Sequence, residues 1–431
     1  KRSFFRYLNN QLDLDVKAVQ QSLDAYISEP SKHSYRQFMT TAEPKRQELA
    51  RRLNQVPGST GMLVELRKDL LNFVREDETL GKVDLDFRHL FASWFNRGFL
   101  VLQPISWNSP ANILEKIIEY EAVHAIDSWD DLRRRLKPED RRCFAFFHPS
   151  MAEEPLIFVE VALTKGIPSS IQDVLAENRE PLSASEADTA VFYSISNCQE
   201  GLAGISFGNS LIKQVVSDLA PELPNIKTFV TLSPIPGLSK WVEATGNIVN
   251  IENEENLKSL AASYLLEAKH KTGLPLDPVA RFHLNNGAMV HKVHTKADLS
   301  ANGIRQSYGT MVNYMYDLKR IAENHETFAT EKEVVASKEV KALAEQAEEL
   351  TITEPETKEI ERESVMTNPL FDTLFGRHAG KTTPFLHLID GRIITHDEFL
   401  KLTAKFANAM TAMGLSAGDR VAVQIDKSPE A

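Results

Sequence analysis

The chain has 431 residues, 42% of them apolar and 25% charged, a composition that builds sizeable cores and excludes wholesale disorder. Its 60 Asp and Glu against 49 Lys and Arg leave a net charge of −11, which argues against a nucleic-acid-binding surface over the whole chain. Cys143 and Cys198 are the only cysteines, so no disulfide framework or Cys-rich zinc site is expected, and a reducing, cytoplasmic location is.

Residues 1–57 contain no glycine, and Pro44–Leu53 and Gly61–Phe73 carry apolar residues at three- and four-residue spacing beneath a charged face. That period predicts an all-helical domain over 1–92, with a packing or oligomerising role. The texture then changes. Cys143–Phe147, Leu156–Leu163, Ala190–Ile195 and Thr228–Leu232 are short runs rich in β-branched and aromatic residues, bounded by turn formers. Helical patterns such as Asn112–His124 and Ser210–Leu219 lie between them, so an α/β domain is expected over 93–328.

Residues 331–363 hold eleven Glu and five Lys or Arg, which predicts a solvated linker, helical or disordered, over 329–366. From 367 to 431 the pattern is globular again. Strands are expected at Pro384–Ile389 and Arg392–Thr395, a helix over Thr395–Met413 and a strand from Val421, as in a domain cut short before its sheet closes. No apolar run approaches the 18 or so residues needed to span a bilayer, and no membrane association is expected.

Three stretches could carry chemistry. Ala190–Ile205 reads as a strand entering a loop with Gly201, Gly204 and Gly208, followed by an amphipathic helix. Backbone N–H groups at such a loop and helix start suit a pyrophosphate, although the spacing alone serves a geometric turn equally well. It is neither a Walker A loop nor the Rossmann fingerprint. Next, the Thr228–Leu232 strand ends in Ser233-Pro-Ile-Pro-Gly237, where two prolines stiffen the turn. The serine is held at the carboxyl end of a strand, where α/β folds bind ligands, or it simply caps a rigid loop. Finally, His283 stands in an apolar run turning at Asn286-Gly287, as a near-neutral proton donor or as a hydrogen-bonded structural residue. His291 and His294 lack an acidic partner at helical spacing, and no metal site is expected. Asn313-Tyr-Met-Tyr316 adds two phenols that orient a substrate or pack.

The order Trp107-Asn-Ser-Pro110, Glu121-Ala-Val-His124, Tyr193-Ser-Ile-Ser196, Gln199-x-Gly-Leu-x-Gly204, Ser233-Pro-Ile-Pro-Gly237, Phe282-His-Leu-x-Asn-Gly-Ala288 and Asn313-Tyr-x-Tyr316 resembles the malonyl-CoA decarboxylase family. The resemblance implies a helical domain that drives homo-oligomerisation and a catalytic domain similar to the GNAT acetyltransferase superfamily. Its Gln/Arg-x-x-Gly-x-Gly/Ala loop would hold the coenzyme A pyrophosphate, which points to Gln199, Gly201, Leu202, Ala203, Gly204, Ile205, Ser206, Gly208 and Asn209. Ser206 stands where some relatives carry an acidic residue, so no carboxylate role carries over there.

The resemblance further implies a catalytic Ser233 and His283, with Tyr316 matching the closing tyrosine. The implied reaction converts malonyl-CoA to acetyl-CoA and CO2 through a thioester enolate. It needs no metal or prosthetic group, coenzyme A being part of the substrate. Ser233 would orient the malonyl carboxylate, His283 would protonate the enolate carbon, and Tyr316 would buttress His283. The alternative is a coenzyme A-dependent N-acyltransferase on the same fold. Asn368-Pro-Leu-Phe-Asp372 through Gly418-Asp-Arg-Val-Ala-Val423 resembles the start of an adenylate-forming acyl-CoA synthetase, most like malonyl-CoA synthetase. The motifs of that chemistry are not among these residues, and no activity is expected of them.

Overall fold

Helices α1 (Arg2–Gln11), α2 (Val16–Ser28), α3 (Lys32–Thr41), α4 (Lys45–Asn54), α5 (Ser59–Val74) and α6 (Gly81–Trp94) open the computed structural model, which describes residues 1–205, 211–245, 253–352, 381–387 and 392–412. Local chemistry starts several of them. Asp15 accepts from the N–H groups of Lys17 and Ala18 at α2, and Ser31 with Ser34 forms a capping box at α3. Leu63, Val64, Leu70, Phe87 and Phe91 recur at helical spacing on α5 and α6 and turn inward.

The next strands are β1 (Val101–Ile105), β2 (Arg141–His148), β3 (Met151–Thr164), β4 (Thr189–Asn197), β5 (Thr228–Thr231), β6 (Ser233–Pro234), β7 (Met289–His294) and β8 (Met311–Met315). They form a mixed sheet in the order β1-β2-β3-β4-β5-β8-β6, with β7 paired to β8. Strands β1 to β4 are antiparallel neighbours, whereas β4 and β5 run parallel. Both faces of this sheet are covered. Phe144 and Phe146 join a core continuous with Phe5, Val64 and Phe91 of the helices, while Cys143, Ala145 and Phe147 face a second cluster. Strand β2 therefore reads as an unbroken apolar run instead of an alternating one.

Helices α7 (Ala111–Tyr120), α8 (Trp129–Leu136) and α9 (Ile171–Leu175) precede β4, and α10 (Leu211–Glu222) lies between β4 and β5. Then come α11 (Leu238–Thr245), α12 (Glu254–Leu266), α13 (Pro278–Asn285), α14 (Ala301–Ser307), α15 (Ile321–Glu331) and α16 (Lys338–Ile352). A helical domain followed by a mixed α/β domain is the expected order.

The acidic stretch is described as far as Ile352, and 353–366 lie outside the described residues. It is largely helical, one of the two expected forms, but packed and not solvated. Val290 bridges to Ala336, Ser337 Oγ donates to the His291 carbonyl at 2.7 Å, and α16 packs on α12. Val340, Leu343, Ala344 and Ala347 are buried. These residues follow a three- and four-residue period, a narrow apolar stripe that the glutamates on the remaining faces conceal in the composition.

The chain divides into compact units at 1–354 and 355–431. In the second, β9 (Pro384–His387) pairs antiparallel with β10 (Ile393–Thr395), followed by α17 (His396–Ala412), whose Glu398 carboxylate accepts from the Thr395 N–H at 2.9 Å. The strand expected from Val421 lies outside the described residues.

Candidate active site

The ladder between β4 and β5 ends at Phe192↔Thr231, while β4 itself continues to Asn197. A cavity of about 260 Å³ opens beside the split, lined by Phe192, Tyr193, Ile195 and Asn197 on one side and by Ser233, Phe282 and His283 on the other. Ser233 opens β6, two positions beyond the end of β5, and pairs with β8 through Ser233↔Val312. His283 is delivered by α13, which Asp277 starts by accepting from the Ala280 N–H at 2.8 Å, with Pro278 in the first turn. Tyr316 follows β8, and its N–H donates to the Phe229 carbonyl at 2.9 Å.

These three side chains meet. Ser233 Oγ lies 3.2 Å from His283 Nε2, and the Tyr316 hydroxyl lies 2.8 Å from His283 Nδ1. Ser233, His283 and Tyr316 are 5%, 3% and 1% exposed, so the line is almost wholly withdrawn from water. The Tyr314 ring stacks on the imidazole at 4.5 Å between centroids. Burial pushes the His283 imidazole down to about 3. Burial therefore favours the neutral ring in the ligand-free site. Burial also raises the Tyr316 phenol well above its ordinary range.

The glycine-rich loop is arranged differently from a bare phosphate cradle. Leu202, Ala203 and Ile205 spend their N–H groups inside the loop, on the carbonyls of Gln199, Glu200 and Leu202. The side chains of Leu202 and Ile205 are buried in the core, and the Gln199 amide donates to the Pro155 carbonyl at 3.1 Å. Gly201 is required by space, because a Cβ there would sit 1.9 Å from the Val64 carbonyl oxygen of α5. The buried Arg67 guanidinium donates to the carbonyls of Gly201 and Ala203 at 2.7 and 2.9 Å. Gly204 turns out to solvent at φ +73°, beside the Arg88 guanidinium. Lys213 stands in the first turn of α10, its amine lowered by partial burial and by the Arg97 charge. Ser206, Gly208 and Asn209 lie outside the described residues.

Two sequence motifs meet in a polar cluster under the sheet. Glu121 accepts from the N–H groups of Val123 and His124, each at 2.8 Å, and from Ser194 Oγ at 2.6 Å. Nearby, Arg135 faces the fully buried Glu160 at 3.3 Å. Burial, together with the Glu121 carboxyl, pushes Glu160 up to about 8 despite Arg135. Its ordinary value is 4.5, so between these values the folded chain keeps a proton that the unfolded chain has released. This group's contribution to stability is complete below about pH 4.5 and is lost as pH rises through 8, with a slope of at most about 1.4 kcal/mol per pH unit. Glu160→Gln is expected to flatten the fall in melting temperature between pH 5 and 9. Melting curves with the same slope in both proteins would disprove this.

The sequence reading passed over Thr231, Arg67 and Asp277. Asp277-Pro278 ahead of an apolar run is a readable helix start. Thr231 is hidden in a strand where threonine is an ordinary former, and nothing local marks Arg67 as an anchor for a loop more than 130 positions away.

A buried serine, histidine and tyrosine within hydrogen-bonding reach of one another, opening on a cavity where a mixed sheet splits, have the makings of an enzyme's active site. Comparison with known proteins makes the assignment specific. The model of the malonyl-CoA decarboxylase N-terminal domain matches residues 13–95, and that of its C-terminal domain matches 98–256 and 247–354. The mitochondrial malonyl-CoA decarboxylase of Anser anser anser is 36% identical over 354 residues, covering 70% of each chain. Crystal structures of malonyl-CoA decarboxylase from Rhodopseudomonas palustris and Agrobacterium vitis superpose with a TM-score of 0.74 each, at 48% and 49% identity. They cover 79% of this chain and 89% and 90% of theirs. The chain belongs to the malonyl-CoA decarboxylase family, a family of carboxy-lyases.

The same relatives correct the expected cytoplasmic location, since those of Anser anser anser, Rattus norvegicus and Mus musculus are mitochondrial proteins. A low cysteine count separates oxidising from reducing surroundings and does not tell one reducing compartment from another. Among the described residues no helix is long and apolar enough to cross a membrane.

Proposed function

We propose that this chain decarboxylates malonyl-CoA to acetyl-CoA and CO2 at Ser233, His283 and Tyr316, with no metal or prosthetic group. The observation that carries this reading is the buried line of hydrogen-bonding side chains opening on the cavity between β4 and β5. In this reading the malonyl carboxylate settles against Ser233, beside the imidazole. An anion a few ångström from a desolvated imidazole favours its charged form, so binding draws a proton from solvent onto His283. The apolar walls strip water from the carboxylate and favour its departure as neutral CO2. The C–C bond breaks, its electron pair enters the thioester enolate, and the enolate carbon takes the Nε2 proton. One carboxylate and one proton are consumed, and His283 returns to neutrality.

The test is release of CO2 and acetyl-CoA from malonyl-CoA in the presence of a chelator. No release from the folded protein would overturn the reading. Ser233→Ala is expected to lower turnover about 10- to 100-fold and to erase the preference for malonyl- over acetyl-CoA. Equal wild-type affinity for the two thioesters would remove the carboxylate role from Ser233.

The loop from Gln199 to Asn209 is proposed to meet the coenzyme A pyrophosphate. Exposed Gly204 and the nearby cations Arg88 and Lys213 support this more than the internally bonded Leu202, Ala203 and Ile205 do. Homo-oligomerisation through the helical domain is also proposed. In α2 and α3 only Ser22 and Ser34 are buried, while Val16, Ile27, Tyr35 and Met39 are exposed. Ile27→Asp with Met39→Asp should lower the mass measured by sedimentation, and an unchanged mass would exclude that face. A relationship of 367–431 to the start of a malonyl-CoA synthetase is proposed on motif order alone, with no activity assigned to it.

A further inference from the structure

Three hydrogen bonds converge on Thr231, the fully buried last residue of β5. Ser233 Oγ donates to Thr231 Oγ1 at 2.8 Å, and the Tyr314 N–H donates to the same oxygen at 3.1 Å. Asn313 Nδ2 donates to the Thr231 carbonyl at 2.7 Å, and Asn313 Oδ1 is bonded in turn to His294 Nε2. Regular pairing of β5 with β8 is confined to Val230↔Met315, so the threonine hydroxyl stands in for a ladder carbonyl at Tyr314. Its position is thereby tied to the sheet and not to a free rotamer.

The direction of the first bond has a chemical consequence. In the free site a serine that gives its proton to Thr231 presents only lone pairs to His283, so the facing Nε2 must carry the ring proton. When the malonyl carboxylate arrives, the hydroxyl swings that proton from Thr231 to the carboxylate and still accepts from Nε2–H. On the other side, the Tyr316 hydroxyl at 2.8 Å donates to a bare Nδ1 or accepts from a protonated one, so it suits the Nε2–H tautomer without imposing it. The opposite tautomer would set an Nε2 lone pair against a Ser233 lone pair for as long as Ser233 keeps its bond to Thr231. That is a buried mismatch, which interiors avoid.

We infer that Thr231 is a positioning residue for the reaction: by taking the Ser233 hydroxyl proton, it holds His283 as the Nε2–H tautomer. This rests on His283 being the proton donor, as proposed above. The nitrogen beside the substrate is then charged with its proton before malonyl-CoA enters, and the proton taken up on binding goes to Nδ1, where Tyr316 turns from donor to acceptor. After Nε2 has protonated the enolate carbon, the ring is left as Nδ1–H. Loss of that proton and return of one to Nε2 reset the site, and Thr231 favours the reset form.

The experiment is ¹⁵N NMR of histidine-labelled full-length protein without ligand, with the His283 ring signals assigned by their loss in His283→Gln. Wild type is expected to show a protonated Nε2 and a bare Nδ1. In Thr231→Val the Nδ1–H form should appear, and kcat should fall about 10-fold with KM for malonyl-CoA unchanged. Thr231→Ser, which keeps the oxygen, should restore both the tautomer and kcat. An Nδ1–H or doubly protonated ring in wild type overturns the inference. So does a folded Thr231→Val with the wild-type tautomer and kcat, or a Thr231→Ser that restores neither. Should Thr231→Val fail to fold, the wild-type and Thr231→Ser spectra decide. The proton-donor reading is tested separately by turnover of His283→Ala, which can fail while the tautomer stands.

Discussion

His283→Ala lowers turnover of malonyl-CoA by about 10²- to 10⁴-fold and leaves KM within about twofold, because a positioned general acid contributes rate and little ground-state binding. In the proposed reading the residue meets the acyl end of the substrate, and neither Arg88 nor Lys213 is among the residues lining its cavity. The variant also carries a calorimetric signature. The free imidazole is held down at about 3 by burial, and the proposed approach of the malonyl carboxylate would raise it, so wild-type binding at pH 7 is expected to take up a proton. Binding enthalpies in two buffers of different ionisation enthalpy measure that uptake, which His283→Ala abolishes. Turnover retained in the variant removes His283 from the chemistry. Zero uptake by the wild type removes the imidazolium while leaving the residue in place. Since Tyr314 stacks on the ring and Tyr316 bonds to it, His283→Gln serves as a companion that fills more of the space.

The parts of this fold that were legible are those whose signal is local. Cys143–Phe147 and Ala190–Ile195 read as strands because a sheet covered on both faces buries consecutive residues, leaving short unbroken apolar runs. Ser233 was legible through the prolines that stiffen its turn, and Tyr316 through a motif. What brings them to His283 is long-range: the end of the β4–β5 ladder, the pairing of Ser233 with Val312, and an α13 set by its Asp277 cap. None of these leaves a periodic trace near the residues concerned. The acidic stretch misled for a different reason. Val340, Leu343, Ala344 and Ala347 occupy one stripe of α16, and averaging over the whole segment dilutes that stripe with the glutamates around it. The glycine-rich loop shows how a correct pattern can have a mixed cause. Gly204 supplies the positive φ of a turn, whereas Gly201 answers to the backbone of α5, which no spacing rule within the loop could reveal.

That contact yields the prediction with the largest effect on folding. Arg67 is 1% exposed and joins three groups: the Asp84 carboxylate at 2.8 Å and the carbonyls of Gly201 and Ala203. Arg67→Met keeps the buried stem but strands a shielded carboxylate and the buried Gly201 carbonyl, while the partly exposed Ala203 carbonyl can turn to water. Breaking a buried pair from one side costs about 3–5 kcal/mol, far more than the pair adds over an apolar replacement of both partners. The double variant Arg67→Met with Asp84→Leu is therefore expected to recover much of the loss, as urea unfolding of the three proteins would measure. Because the guanidinium holds the loop leading toward α10, the surviving folded Arg67→Met should show a raised KM for malonyl-CoA with kcat changed less. That split separates it from His283→Ala, which moves kcat and spares KM. If Arg67→Met proves as stable as wild type, the carbonyls of Gly201 and Ala203 have found other donors. The helical domain would then hold the loop proposed to bind the coenzyme through the packing of Gly201 on Val64 and not through Arg67.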